Sequence, residues 1–278
     1  HAGLRYVCGG QAAEHFESLD AIGTRHLRAS VRVPAGAPVP DRTLLFDRYA
    51  ARHLATAGHF PPHTLEVTGS AKLDDMARSV RGFRAGGVSA LRREFGVNEG
   101  QHLLVLAAKF TEIADALPGL FVAIDGMADV HLVIKTHPAE TPAPYLAMAT
   151  GHARVSIAPA HADLARLLAA ADVIVTRNST VAIDSLVLGV PALVIGAPSN
   201  LAPFVDAGVM VAAAGADITG TLERLLYDRA AREALLRRAA EFASRHDMRA
   251  DGHAAERAAR AVLEMTRSWR QPQGRPST

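Results

Sequence analysis

The stretch from Ala171 to Ile195 limits the possible folds more than any other part of the chain. The run Ala171-Asp172-Val173-Ile174-Val175 is apolar and β-branched, as a strand buried on both faces should be. It is followed by Thr176-Arg177-Asn178-Ser179-Thr180-Val181-Ala182-Ile183-Asp184, and then by a segment running through Gly189 and Pro191 to Ala192-Leu193-Val194-Ile195. The spacing predicts strand, polar turn, short helix, glycine stop and second strand. Asn178, Ser179 and Thr180 are N-cap residue types at the place where the helix would begin. A helix start after a parallel strand presents free N–H groups and a partial positive charge. A phosphate or pyrophosphate would bind there, and an ordinary capped helix is the simpler alternative.

The rest of the chain supports an α/β reading. Strands are expected at Asp41–Phe46, Leu65–Thr68, Leu103–Ala108, Val130–Lys135, Ala153–Ile157, Ala192–Ile195 and Val209–Ala212. An earlier strand is expected at Leu4–Cys8, with a turn at Gly9-Gly10 and a loop framed by Pro34, Pro38 and Pro40. Helices are expected at Arg48–Thr56, Lys72–Ser79, Gly87–Phe95, Tyr145–Thr150, Asp163–Ala170, Ile218–Ala243 and Gly252–Trp269. A further helix from Thr111 is expected to be interrupted near Pro118-Gly119. Alternating strands and helices imply a doubly wound parallel sheet, with ligands beyond the carboxyl ends of the strands. Three parts are expected: residues 1–80, a partial N-terminal domain and linker; 81–250, a nucleotide-donor-binding Rossmann-like domain; and 251–278, a C-terminal helix and tail. Gly82, Gly86 and Gly87 suggest a flexible connection between the first two. A start at His1 in place of Met is read as a piece of a longer chain.

Composition excludes several classes. The formal net charge is +2, and no cluster of Lys and Arg is interleaved with aromatics, which argues against nucleic-acid binding. One cysteine, Cys8, allows neither an internal disulfide framework nor a cysteine zinc site, and a reducing compartment fits. The longest apolar run, Ser185–Ala197, is broken by Gly189 and Pro191 and falls short of the roughly 20 residues that a membrane span requires. There is no G-x-x-x-x-G-K-[ST], no G-x-G-x-x-G and no H-E-x-x-H. Asp74-Asp75 lacks a D-x-D spacing, and His59 and His63 are separated by Pro61-Pro62. No catalytic metal and no cofactor are expected.

The polar loops after successive strands carry the candidate chemistry. His137-Pro138 follows the strand that ends in Lys135, and Pro138 stiffens the turn. A histidine held there can donate to a phosphate oxygen or act as a general acid. Lys135, His137, Asn178, Ser179 and Thr180 are the candidate phosphate-binding residues, and His137 is the candidate catalytic one. Asp184, one turn beyond Thr180, can accept from ribose hydroxyls. Lys109, Glu112 and His161 are candidate lining residues of the same crevice.

These segments, taken together, resemble a known family. Val133-Ile134-Lys135-Thr136-His137-Pro138, then Asp163-Leu164 with Leu167-Leu168, then Ala171 to Asp184, closed by Gly189-Val190-Pro191, look like the C-terminal nucleotide-binding domain of GT-B-fold proteins. Val67 to Asp74 resembles the junction that ends their N-terminal domain, and Asp251-Gly252 with its following helix resembles their final segment. The likeness spans residues 41 to about 268. The superfamily includes nucleotide-sugar glycosyltransferases, UDP-N-acetylglucosamine 2-epimerases, and capsule and teichoic-acid polymerases such as CDP-glycerol glycerophosphotransferases. In the polymerase group a His-Pro motif and a Ser-Ser/Thr motif bind the donor's phosphates, and His137-Pro138 and Ser179-Thr180 match them. By the same resemblance Asp184 stands where an acidic residue contacts ribose. The epimerases carry a Ser-Gly-Gly turn followed by paired glutamates, from which this sequence departs.

The resemblance implies a transferase that moves a sugar or polyol-phosphate group from a nucleotide-activated donor to a saccharide or lipid-linked acceptor in surface polysaccharide synthesis. A 2-epimerase of UDP-sugars and an inactive nucleotide-binding module are the alternatives. The single cysteine fits a cytoplasmic location, and the resemblance adds peripheral association at the inner membrane face as an option because such acceptors are often lipid-linked. The N-terminal domain of these proteins supplies much of the catalytic machinery. Most of it is expected to lie outside this chain, so no catalytic base is named.

Overall fold

Short parallel pairing begins the described part of the chain. The computed structural model describes residues 40–270 apart from residue 160. The expected strand at Leu4–Cys8, the Gly9-Gly10 turn and the loop at Pro34 and Pro38 lie outside those residues. Strand β1 (Thr43–Leu45) pairs in parallel with β2 (Leu65–Val67), Thr43 opposite Leu65. Helix α1 (Arg48–Thr56) lies between them in sequence, after Asp47. The Asp47 carboxylate accepts from Ala50 N at 2.7 Å, the N-cap bond expected from the residue type. Leu45, Leu54 and Phe60 form a small core here, with Leu65 against it. Helix α2 (Ala71–Ala85) follows. Gly82 lies inside it, so the expected flexible connection does not begin at that residue; the helical run gives way only at Gly86 and Gly87. The chain packs as two units, one of the described residues up to Asp75 and from His246 onward, the other Met76–Arg245.

The second unit is an open, doubly wound parallel sheet. Helix α3 (Val88–Glu94) leads into β3 (His102–Ala108), α4 (Phe110–Ile113), α5 (Leu117–Gly126) and β4 (Val130–Thr136). Then come α6 (Ala143–Ala149), β5 (Val155–Ile157), α7 (Leu164–Ala170), β6 (Val173–Thr176), α8 (Val181–Val187) and β7 (Ala192–Ile195). Helix α9 (Ala202–Asp206), β8 (Val211–Ala213), α10 (Asp217–Tyr227) and α11 (Arg229–Arg245) complete it. The strand order is β5-β4-β3-β6-β7-β8, with every neighbouring pair parallel.

Alternation along the strands separates two cores. Leu104, Leu106, Leu132, Ile134, Val173 and Val175 pack on one face with Leu120 and Phe121 of α5 and Leu222 of α10. Leu103, Val105, Val133 and Ile174 pack on the other with Val80 of α2, Leu91 of α3 and Leu167 of α7. Strands buried on both faces explain the near-continuous apolar runs in the sequence.

The helical stretch from Thr111 is interrupted near Pro118, as expected: α4 ends at Ile113 and α5 begins at Leu117, with Pro118 in its first turn, where a proline removes an N–H that has no intrahelical partner. One helix expectation needs correction. The expected helix from Ile218 to Ala243 is two helices, broken at Asp228. The Asp228 carboxylate accepts from Ala231 N at 2.9 Å and restarts the chain as α11.

Helix α12 (Ala254–Arg270) returns to the first unit. Its start is held by Asp74, whose carboxylate oxygens accept from Gly252 N and Ala254 N, both at 2.9 Å. Arg257 donates through Nε to Thr68 O at 2.7 Å and forms a two-pronged pair with Asp251 at 2.8 and 3.0 Å. Gly69 has φ +87°, and a Cβ there would stand 2.8 Å from Arg257 Nη2. Glycine is therefore required at the junction.

Candidate functional site

The sheet's register brings four loops to one edge. Ala108 pairs with Thr136, Leu106 with Val175 and Thr176 with Val194, so β3, β4, β6 and β7 end level with one another. The chain order reverses between β3 and β6, since successive strands run outward from β3 in one direction and from β6 in the other. In sheets of this kind that reversal opens a crevice at the carboxyl edge. Thr176 fastens the two strands there, its Oγ1 donating to Ala107 O at 2.6 Å.

After β6, the polar turn is internally bonded. Thr176 Oγ1 accepts from Ser179 N at 3.1 Å, and Ser179 Oγ accepts from Val181 N at 3.3 Å. Thr180 occupies the N-cap position of α8 but makes no side-chain cap bond. Its φ and ψ, −62° and −12°, are already helical, whereas a capping side chain acts from the extended region. Asn178 Oδ1 accepts from Asn200 N at 3.0 Å, linking this turn to the loop after β7. Asp184 is half-buried in the first turn of α8, its N–H bonded to Thr180 O.

After β3, the short helix α4 is already capped by an anion from within. Both carboxylate oxygens of Glu140, in the loop after β4, accept from Phe110 N at 3.1 and 3.0 Å. Lys109 Nζ pairs with Glu112 at 3.7 Å. Tyr145 of α6 donates through its hydroxyl to Ala108 O at 3.0 Å and meets the Phe110 ring edge-on at 5.1 Å. Burial, with the Glu140 and Glu112 charges, raises the Tyr145 phenol far above its ordinary value and keeps it a neutral donor.

After β4, Lys135 is half-buried and donates to Thr136 O at 3.2 Å. His137 is exposed, and its Nδ1 accepts from Ala139 N at 3.2 Å. That bond needs a lone pair on Nδ1, so the neutral ring carries its proton on Nε2, which is left as a donor. His161, in the turn after β5, is also exposed, and the strand order sets it two strands away from β3.

The structure thus brings Asn178, Ser179 and Thr180 beside Lys109 and Glu112 across the β3–β6 reversal, with Lys135 and His137 one strand further along. Arg177, Glu140, Tyr145, Ser199 and Asn200 take part in the same edge and were not among the sequence candidates. Arg177 and Glu140 lie within or next to the motifs already singled out, but side-chain type alone did not set them apart. Among the described residues, no group of three or more His, Cys, Asp or Glu side chains is arranged to hold a metal ion. No described helix is long and apolar enough to cross a membrane.

Scans against family models and curated proteins find no match. Solved structures do match. A wall teichoic acid polymerase, TagF, in a crystal soaked with CDPG, aligns at 13% identity and TM-score 0.57, covering 82% of this chain and 58% of its own. The UDP-GlcNAc 2-epimerase from Neisseria meningitidis, bound to UDP-GlcNAc, aligns at 15% identity and TM-score 0.56, covering 81% and 61%. A second UDP-N-acetylglucosamine 2-epimerase aligns at 20% identity and TM-score 0.58, covering 86% and 61%. The class is therefore a doubly wound α/β fold of the GT-B, Rossmann-like kind. At these identities the likeness is one of fold, and the chain spans about three fifths of the length of the structures it matches.

Proposed function

We propose that this chain is the nucleotide-donor half of a GT-B-type transferase, which moves a sugar or polyol-phosphate group from a nucleotide-activated donor to a saccharide or lipid-linked acceptor. The observation that carries this reading is the common carboxyl edge shared by His137 and the Asn178-Ser179-Thr180 turn, on the two strands flanking β3. The donor's phosphates lie along that edge. The Nε2–H of His137, the Lys135 ammonium and the polar groups of Asn178, Ser179 and Thr180 donate to phosphate oxygens. Donors already in place as charge builds on the departing nucleotide need no reorganisation, which is the preorganised form of catalysis. Asp184 accepts from the ribose hydroxyls. Lys109 and Glu112 border the crevice, and His161 lies at its far margin. Work at the inner face of the cytoplasmic membrane follows if the acceptor is lipid-linked.

Calorimetric titration with UDP, CDP, CMP and GDP, on this chain and on His137→Ala, tests the reading. Selective nucleotide binding that weakens in the variant is the expected result. Equal affinity in the two proteins would remove His137 from the site.

A second reading, a UDP-sugar 2-epimerase, has support from the two epimerases that match this fold as closely as the polymerase does. The two separate by product analysis, because an epimerase turns over its nucleotide-sugar with no acceptor present.

A further inference from the structure

Arg177 is the cation nearest the phosphate turn in sequence, yet its donors are committed to the protein. Its side chain is only 11% exposed. Nη1 donates to Glu112 O at 2.5 Å and to Asp115 Oδ1 at 2.7 Å, and Nη2 donates to Ala197 O at 2.5 Å. One planar fork therefore reaches the segment after β3 and the loop after β7 from the loop after β6. Gly196 lies flat against it: φ is +79°, and a Cβ there would stand 3.0 Å from Arg177 Cζ. The main chain is laced the same way, with Ser199 Oγ donating to Arg177 O at 2.5 Å. Asn200 N donates to Asn178 Oδ1. This last bond settles the orientation of the Asn178 amide. Its oxygen is used as the acceptor, so its NH2, with two donors, is the group that remains. Among the described residues that NH2 has no protein partner.

We propose that Arg177 is a positioning residue: by tying the loops after β3 and β7 to the loop after β6, it holds the Asn178 amide with its NH2 free for a phosphoryl oxygen, and it does not bind the ligand itself. The inference rests on the nucleotide-donor reading of this edge. Lysine cannot replace it, because a single ammonium lacks the rigid fork that serves three separated acceptors.

The test is a double-mutant cycle on the whole 278-residue chain, with UDP and CDP as probes and uridine and cytidine as controls. Arg177→Lys keeps the charge. Asn178→Asp keeps an acceptor for Asn200 N–H and replaces the NH2 donors. Arg177→Lys should lose roughly tenfold in diphosphate affinity, about one hydrogen bond's net worth, and Asn178→Asp more than that because its carboxylate also repels the phosphates, with nucleoside affinity unchanged in both. The double variant should lose no more than Asn178→Asp alone, because Arg177 acts through Asn178. Losses that multiply in the double variant, or that fall equally on the nucleosides, would overturn the proposal. So would parent-like diphosphate affinity in Asn178→Asp, which is informative even if Arg177→Lys folds poorly. A parent chain that binds neither diphosphate overturns the donor reading itself, and the proposal with it.

Discussion

Glu140 and Phe110 are thirty residues apart, and both carboxylate oxygens of the first accept from the single N–H of the second, at 3.1 and 3.0 Å. The carboxylate therefore stands at the start of α4, where a ligand anion would otherwise be drawn. On the proposed donor reading, the phosphates then fall to the turn after β6 and the His137 loop. Replacing Glu140 by Ala should destabilise the fold by about 1–2 kcal/mol, the usual worth of a partly buried bond to a charged group. It should also raise the affinity of the chain for inorganic pyrophosphate. Urea unfolding and calorimetry check the two effects separately.

Tyr145→Phe removes the hydroxyl that holds Ala108 O but leaves the edge contact with Phe110. The buried carbonyl then lacks a partner, and a loss of about 1–2 kcal/mol is expected. Thermal unfolding of the variant measures it. An unchanged Tm would mean that water or a neighbour takes over the bond.

Asp74→Ala should cost more. The residue is 3% exposed and serves two N–H groups at the start of α12. Losing a cap and leaving the buried Ala254 N–H unpaired together predict a loss of about 3 kcal/mol. Hydrogen exchange should show the faster exchange concentrated in the first turn of α12. Asp74→Asn keeps an acceptor and should recover part of the stability.

His131 supplies a pH dependence. It is 8% exposed, with Nε2 2.9 Å from Ser156 Oγ, and burial, then the Arg154 charge, lowers its pKa from 6.5. The folded state thus resists protonation that the unfolded chain accepts. The stabilising contribution is fully present above pH 6.5 and is lost as the pH falls from there toward the depressed folded-state value. Stability measured by urea unfolding between pH 7.5 and 5 should decline, and His131→Gln should flatten that decline. An NMR titration of the ring giving a folded-state value at or above 6.5 would contradict the account.

Most of the strands were legible in the sequence because they are buried on both faces and read as unbroken apolar runs, Leu103–Ala108 and Val173–Val175 above all. The strand order followed from the α/β alternation only as a class. Register and the β3–β6 reversal depend on pairings between residues some seventy positions apart, and no local pattern records them. Helix ends were read less well where a side chain overrides propensity. Asp228 splits an Ala- and Arg-rich run that looks continuous. The polar turn at Asn178 to Thr180 was visible from its residue types, but its internal bonding was not. Thr180 has cap chemistry and a helical backbone, and the bond to Val181 comes from Ser179. The roles of Arg177 and Glu140 are not legible in the sequence, because they lie in what these side chains touch across the fold. The domain limits expected at residues 80 and 250 stand beside units that divide after Asp75 and after Arg245.

The cap that Asp74 places on α12 has a consequence in time. Its partners, Gly252 and Ala254, come 178 and 180 residues later in the chain. At a synthesis rate of about 5–20 residues per second, Asp74 leaves the ribosome roughly ten to forty seconds before the helix it secures. In that interval all six strands of the larger sheet have been made, while the β1–β2 pair still lacks its last helix. Of the two units, the one begun earlier is completed later, and a ribosome stalled before residue 252 would leave that unit without its cap.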